Sequence, residues 1–146
     1  SKKAQGRFEL LVLQEGVGTT AAESKYGFAG DAKIMRSLNK PRMLPKTIEM
    51  LSLWYTRVLE DSPDAFMIVN RSVWENDSAT PQKSSNLLRS EMLLGVMLLR
   101  PCKDGAACEL TTITHVYSPG VPELLAKRMA PGSAAGLIRE IQEQFR

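Results

Sequence analysis

The sequence offers few side chains that could carry out chemistry. Its single histidine, His115, lies in a strand-like segment between Thr114 and Val116, and no serine or cysteine can be assigned to it as a partner. Nucleophilic catalysis needs a base beside the nucleophile, and a metal site needs several histidine, cysteine or carboxylate ligands. We therefore predict that the chain is not an enzyme and that it has no catalytic residue, metal site or cofactor.

Two further patterns have the residue types of reactive sites but not their spacing. Cys102 and Cys108 are separated by five residues, which is typical of a hairpin loop and supplies too few ligands for zinc. Since nothing else in the sequence favours an oxidising compartment, we expect two reduced thiols at facing strand ends. Gly16 and Gly18 follow a strand-like segment, but no third glycine or Gly-Lys-Ser/Thr group completes a phosphate-binding loop.

The composition predicts one globular domain without a membrane span. The chain has 146 residues, of which 43% are hydrophobic and 24% are charged. Its longest uninterrupted apolar run, residues 92–99, is far shorter than the roughly 20 residues that a membrane-spanning helix needs. The 19 basic and 16 acidic residues are spread along the chain, and the aromatic residues are few. This pattern argues against nucleic acid as a partner and leaves contact with an anionic membrane surface open.

Alternating apolar residues and turn signals predict an antiparallel meander of strands. The strand segments are residues 7–14, 47–58, 65–74, 87–99 and 109–117. Gly95 indicates a bulge or bend within its strand. Residues 75–86 form a polar connection that is long for a hairpin, and such loops often carry function. Asp31 can cap a weak helical turn through Met35, ahead of the prolines that follow.

One helix is predicted, towards the C-terminal end of the chain. Pro122 suits the first turn of a helix. Apolar residues then recur at helical spacing, namely Leu125, Met129, Leu137 and Ile141. The Pro-Gly step at residues 131–132 should bend this helix or split it in two. Because a sheet needs a cover for its apolar face, we expect the helix to pack on the meander.

Side-chain alternation divides the predicted strands into two faces. One face of the strands from residue 47 onward combines apolar residues with small polar ones, namely Ile48, Met50, Ser52 and Trp54, then Phe66, Ile68, Asn70 and Ser72, then Ser90, Met92, Leu94 and Val96, and finally Leu110, Thr112, Thr114 and Val116. A sealed core disfavours the hydroxyls and the amide, because each costs free energy when buried without a hydrogen bond. Two interpretations stay open: these residues line a cavity for an amphipathic ligand, or they face solvent or bond the nearby backbone.

From about residue 44 to residue 145 the sequence resembles the START family of lipid-binding and lipid-transfer domains. The stretches that carry the resemblance are SLWYTR, FMIVNRSV, NLLRSEMLLGVMLLRPC, CELTTITHVYSPGVPELLAKR and GLIREIQEQF. Within them, Arg89 and Glu91 follow the long loop, and Gly120 leads into the helix. The order and spacing of the whole set, more than any one motif, carry the resemblance.

The resemblance implies a helix-grip fold of the α+β class, in which a curved antiparallel β-sheet packs on a long C-terminal α-helix. It implies one START-like domain over residues 1–146, with residues 1–43 poorly matched, strands within residues 46–117 and the helix at about residues 121–145. The loop 75–86 would be the entrance to a tunnel for one lipid of the sterol, phospholipid or sphingolipid class. Exchange would take place at an anionic membrane surface.

The same resemblance, combined with the strand alternation, suggests which residues contact the lipid. The side chains that would surround its tail are Ile48, Met50, Ile68, Met92, Leu94 and Leu110 of the strands and Leu125, Met129 and Leu137 of the helix. Those that would meet its polar head are Asn70, Ser72 and Thr112. Ser52 is a further residue expected to contact the ligand.

Departures from the family pattern support a second hypothesis. START domains are longer than this chain, and Ser52 stands where the family often has a buried arginine. The alternative is a protein-interaction (scaffold) domain of a larger multidomain protein, with no open cavity. A filled core would favour the scaffold, whereas a void would favour the lipid. For either role we predict a cytoplasmic location with peripheral attachment to membranes, and a homodimer or a neighbouring domain as a further partner.

Overall fold

In a computed structural model of the chain, seven strands form one curved sheet, and a helix follows the last strand. The structure describes residues 7–41, 44–73, 86–102, 105, 107–119 and 121–144. The elements are β1 (Arg7–Gln14), β2 (Asp31–Asn39), β3 (Thr47–Leu59), β4 (Ser62–Ser72), β5 (Leu87–Arg89), β6 (Glu91–Pro101), β7 (Cys108–Tyr117) and α1 (Glu123–Gln144). The strands lie in the order β1-β2-β3-β4-β6-β7, and β5 pairs with β3.

The antiparallel meander predicted from the sequence is confirmed. Each strand of the order β1-β2-β3-β4-β6-β7 pairs antiparallel with the next, whereas β5 runs parallel to the start of β3. The β3–β4 turn contains Glu60, Asp61, Ser62 and Pro63, which are residue types that favour a reversal of the chain. Strand propensity and turn chemistry therefore agree with the pairing from β3 onward.

The prediction of a helical turn after Asp31 is wrong, because Asp31–Asn39 is the strand β2. This strand pairs with β1 on one side and with β3 on the other, so its backbone groups are bonded across both edges. The Asp31 carboxylate contacts the Lys33 ammonium at 3.2 Å. Tertiary pairing thus overrides a weak local preference.

The strand predicted over residues 87–99 is interrupted at Ser90. The Ser90 amide donates to the Glu49 carbonyl at 2.8 Å, while its hydroxyl accepts a hydrogen bond from the Ser118 hydroxyl at 2.7 Å. Here the chain leaves the side of β3 as β5 and continues beside β4 as β6. Since the β3 ladder with β4 ends at Ser72, β5 continues the pairing of β3 beyond that point.

The β1–β2 connection is anchored to the sheet by specific contacts. The Gln14 side chain is buried, and its Nε2 donates to the Phe28 carbonyl at 3.1 Å and to the Gly30 carbonyl. The Tyr55 hydroxyl donates to the Ala29 carbonyl at 2.5 Å, and its ring meets Phe28 edge to face. These bonds occupy backbone groups that the sheet leaves free at this end of β1.

Helix α1 begins where the sequence predicts and continues through the Pro-Gly step. Its first hydrogen bond runs from the Ala126 amide to the Pro122 carbonyl at 3.0 Å, and Glu123 in the first turn complements the helix dipole. The expected split at residues 131–132 is not observed, since the helix is assigned without interruption over this step. Good helix formers on both sides can compensate for the single bond that the proline removes. Within the part of the chain that the structure describes, no helix is both long and apolar enough to cross a membrane.

The hairpin between β6 and β7 holds both cysteines, which are exposed and free. Pro101 pairs with Cys108, and the Cys102 amide donates to the Ala107 carbonyl at 2.8 Å. Cys102 directly follows the last residue of β6 and Cys108 is the first residue of β7, so the two thiols lie at the facing strand ends predicted from the sequence.

Candidate functional site

The strand register defines one face of the sheet, which we call the uncharged face. In paired antiparallel strands, residues opposite each other point to the same side. The face consists of Ile48, Met50, Ser52, Trp54, Thr56 and Val58 on β3, Phe66, Ile68, Asn70 and Ser72 on β4, Met92, Gly95, Met97 and Leu99 on β6, and Leu110, Thr112, Thr114 and Val116 on β7. Nine of the ten strand residues predicted to contact a ligand belong to this set, namely Ile48, Met50, Ser52, Ile68, Asn70, Ser72, Met92, Leu110 and Thr112.

Leu94 lies on the opposite face, so the face predicted for it is wrong. The register between β6 and β7 shifts between Met92 and Leu94, which places Leu94 opposite His115 and Gly95 opposite Thr114. A bulge of one residue reverses the alternation for everything that follows it. Val96 is displaced to the other side for the same reason. The sequence analysis therefore missed Met97 and Leu99, although Gly95 signalled that the strand was irregular.

Three of the serine hydroxyls near this face are bonded within the protein. The Ser52 hydroxyl accepts a hydrogen bond from Trp54 Nε1 at 2.9 Å, and the Ser72 hydroxyl accepts one from the Met92 amide at 2.7 Å. Ser90, which ends β5, accepts from the Ser118 hydroxyl. Ser72 thus bonds the nearby backbone, as the second interpretation expects, whereas Ser52 and Ser90 bond neighbouring side chains. Thr112 and Thr114, by contrast, are exposed.

Asn70 differs from the serines because its amide oxygen has no partner. The residue is 2% exposed, and Oδ1 is buried without a hydrogen-bond donor among the described residues. Its neighbours across the strands are Trp54 on β3 and Gly95 on β6. A Cβ atom placed on Gly95 would overlap Asn70 Oδ1, so the amide occupies the space that the glycine leaves. Asn70 is thus a buried polar group on this face whose amide oxygen lacks a hydrogen-bond donor among the described residues.

The uncharged face is open, and the packing of sheet on helix is not observed. In the described part of the chain, α1 makes no close backbone contact with any strand. Apolar side chains stay exposed on both elements, including Val116 and Phe66 of the face and Leu124 and Ile138 of the helix. The fold prediction is therefore confirmed for the antiparallel sheet and the presence of a C-terminal helix, but not for a helix gripped by the sheet.

Several predicted contacts cannot be placed on this face. The backbone of Leu125, Met129 and Leu137 belongs to α1, but their side chains lie outside what the structure describes. The predicted entrance loop, residues 75–86, lies outside the described residues except for Asn86, whose carbonyl accepts from the Thr47 amide. Their part in a site stays a prediction.

The opposite side of the sheet, which we call the arginine face, carries the arginines of the strands from β2 to β6. Arg36, Arg57, Arg71, Arg89 and Arg100 all lie there by register. Arg36 contacts Glu49 at 2.7 Å and Glu9 at 3.1 Å, and Arg89 approaches Glu49 at 3.5 Å. Hydrogen bonds to these two carboxylates raise the pKa of Arg36, the bond to Glu49 most of all. This network bridges β1, β2, β3 and β5 across the sheet.

Two open clefts lie away from the uncharged face. One, of about 490 Å³, lies at the β1–β2 connection and is lined by residues between Leu13 and Tyr26. The other, of about 530 Å³, lies at the β3–β4 turn and is bordered by Arg57, Met67 and Arg100. Neither cleft includes a residue predicted to contact a lipid.

A comparison with protein-family models decides the family. The model of the START domain matches residues 43–142, which is more than two thirds of the chain and spans β3 to α1. The chain belongs to the START domain family. A search of curated proteins finds no relative that matches it. START domains are in general lipid-binding and lipid-transfer modules without enzymatic activity, so lipid is the class of ligand that membership indicates. The resemblance drawn from the motifs is thereby confirmed, with bounds within three residues of those expected.

Proposed function

We propose that this START domain binds one amphipathic lipid between the uncharged face and α1. The observation that supports it best is the uncharged face, where four paired strands present apolar side chains to the open side of the sheet. Each methylene that a lipid buries contributes about 0.8 kcal/mol, so a dozen buried methylenes offset the contacts that the lipid loses on leaving a membrane. Such a face suits an acyl chain or a sterol ring.

Closure by α1 is part of the proposal. The helix starts six residues after the end of β7, and Leu124, Ile138 and Ile141 expose apolar side chains that a bound lipid or the sheet could cover. A lipid would enter while α1 and the loop 75–86 are apart, during contact with an anionic membrane surface, and α1 would then close over it. We propose a cytoplasmic site of exchange, with a homodimer or a neighbouring domain as an additional contact.

The bulge in β6 supplies a matched pair of variants that tests the proposal. Residues two positions apart in a regular strand point to the same side, but the bulge puts Met92 on the uncharged face and Leu94 on the arginine face. Met92→Trp should fill the face and abolish lipid uptake, whereas Leu94→Trp should leave uptake unchanged, because its ring would project on the other side. The measurement is native mass spectrometry of each protein after incubation with a mixed lipid extract. Equal uptake by both variants, or a wild-type protein without any lipid adduct, would contradict the proposal.

The scaffold role is the second candidate, and exposed apolar residues favour it. On the arginine face, the side chains of Leu94, Ile113 and Tyr117 are 43%, 56% and 53% exposed. These three residues form an apolar patch on β6 and β7. Contiguous patches of this kind often mark protein contacts. A folded wild-type protein that takes up no lipid, but loses a partner or its dimer on Ile113→Asp substitution, would favour this role over the lipid carrier.

A further inference from the structure

The charge distribution of the sheet restricts the lipid that the uncharged face can hold. None of the residues on this side of β3, β4, β6 and β7 is a cation, and the ionisable ones are Asp64 beside the β3–β4 turn and Cys108 at the start of β7, whereas Arg57, Arg71 and Arg100 of the same strands point to the arginine face. A phosphate group buried on the uncharged face would find no cation on these strands, and an unpaired buried charge is very costly. The observation disfavours phospholipids with the head group at this position.

Charged residues at the borders of the face do not change this conclusion. On β2, Lys33 lies opposite Trp54, but its ammonium contacts the Asp31 carboxylate at 3.2 Å. On β4, Asp64 lies by alternation on the side of Phe66, close to the β3–β4 turn, and is exposed. The first pair carries no net charge, and the second residue is an anion that would repel a phosphate.

Asn70 indicates what the polar end of the ligand must offer. Its Oδ1 is a hydrogen-bond acceptor, is buried, and has no donor among the described residues. A hydroxyl group can donate to this oxygen, whereas phosphodiester and ester groups can only accept. The Ser52 and Ser72 hydroxyls accept hydrogen bonds from Trp54 Nε1 and from the Met92 amide, and neither donates to Asn70 Oδ1 in the structure. Met92 and Met97 on the same face are flexible side chains that can move aside for a ligand.

We propose that this domain binds an uncharged lipid whose hydroxyl group donates a hydrogen bond to Asn70 Oδ1. The inference rests on the proposed function and narrows the lipid to hydroxyl-bearing neutral classes, such as a sterol, a diacylglycerol or a ceramide. Asn70 is then the residue that selects the head group, and the surrounding apolar residues hold the remainder of the molecule.

The test compares each hydroxyl lipid with the methyl ether in which every hydroxyl group is methylated, so that the oxygens stay and the hydroxyl donors are lost. Phosphatidylcholine vesicles containing cholesterol, dioleoylglycerol or ceramide, or the matching methyl ether, are incubated with the protein and then sedimented. Native mass spectrometry of the supernatant identifies the lipid that the protein has extracted. For at least one class, the wild-type protein should take up the hydroxyl lipid roughly tenfold better than its ether, and better than phosphatidylcholine.

Two variants assign the preference to Asn70. Asn70→Leu removes the acceptor while keeping the number and branching of the heavy atoms, and should bind hydroxyl lipid and ether equally. Asn39→Leu makes the same replacement at an exposed position near the end of β2 and should behave as wild type. Since Asn70→Leu removes a buried oxygen that lacks a partner, its thermal midpoint should match or exceed that of wild type. The comparison of hydroxyl lipid with methyl ether in the wild-type protein does not depend on the folding of either variant.

The failure of this inference differs from the failure of the proposed function. Uptake of phosphatidylcholine equal to that of the hydroxyl lipids, or equal uptake of alcohol and ether by wild type, would overturn the inference while leaving a lipid carrier in place. A preference that persists in Asn70→Leu would assign it to another residue and overturn the role of Asn70. Absence of every lipid from a folded wild-type protein would overturn the proposed function and this inference together.

Discussion

Replacing Gly95 by alanine should destabilise the sheet, because the Asn70 amide fills the space beside the glycine. A Cβ on Gly95 would overlap Asn70 Oδ1 and lie 3.1 Å from Nδ2. Asn70 is 2% exposed, so its amide cannot rotate freely into solvent to make room. Overpacking of a buried site costs about 1–3 kcal/mol, while removal of a glycine from a strand returns about 0.5–1 kcal/mol. We expect a net loss of about 1–2 kcal/mol in the free energy of unfolding.

Urea unfolding followed by circular dichroism measures this loss, and two further variants identify its cause. Gly18→Ala is the matched control, because no atom lies within 4 Å of its Cβ position and its backbone conformation suits alanine. The urea midpoint of Gly18→Ala should stay at the wild-type value. In an Asn70→Ala background the amide is gone, so Gly95→Ala should cost about 1 kcal/mol less than it does in wild type. A Gly95→Ala protein as stable as wild type, or an unchanged cost in the Asn70→Ala background, would refute the steric explanation.

Two further predictions concern contacts away from the uncharged face. Gln14→Leu removes the donor to the Phe28 and Gly30 carbonyls. We expect the free energy of unfolding to fall by about 1–3 kcal/mol and proteolysis within the β1–β2 connection to become faster. An unchanged cleavage rate would argue against this anchor. Glu49→Gln removes the carboxylate that Arg36 and Arg89 share and should lower stability by about 1–2 kcal/mol, a value reduced because both guanidinium groups are partly exposed. The control in thermal unfolding is Glu60→Gln, because the Glu60 carboxylate contacts Arg57 but is 85% exposed. Equal losses of stability in the two variants would contradict the importance of burial of the Glu49 carboxylate.

The sequence predicted those elements in which local preference and tertiary pairing agree. β3, β4 and β7 were found because β-branched and aromatic residues alternate there between turn signals. β2 was missed because Asp31 and the residues after it have no strong strand preference, and pairing on both edges decides their conformation. The break at Ser90 could not be predicted, since it depends on a hydrogen bond to Glu49, which is distant in the sequence. For the site, alternation placed the residues of β3, β4 and β7 correctly and failed within β6.

The bulge in β6 explains both this failure and the chemistry of the face. If β6 ran without it, Leu94, Val96 and Arg100 would share a side with Met92, and an arginine would enter the border of the uncharged face. The extra residue instead directs Arg100 to the arginine face and brings Gly95 opposite Asn70. With any larger residue at that position the amide could not lie across β6. One inserted residue therefore removes a cation from the face and creates the space in which an unbonded amide oxygen is held, and these are the two features from which we infer a neutral, hydroxyl-bearing lipid.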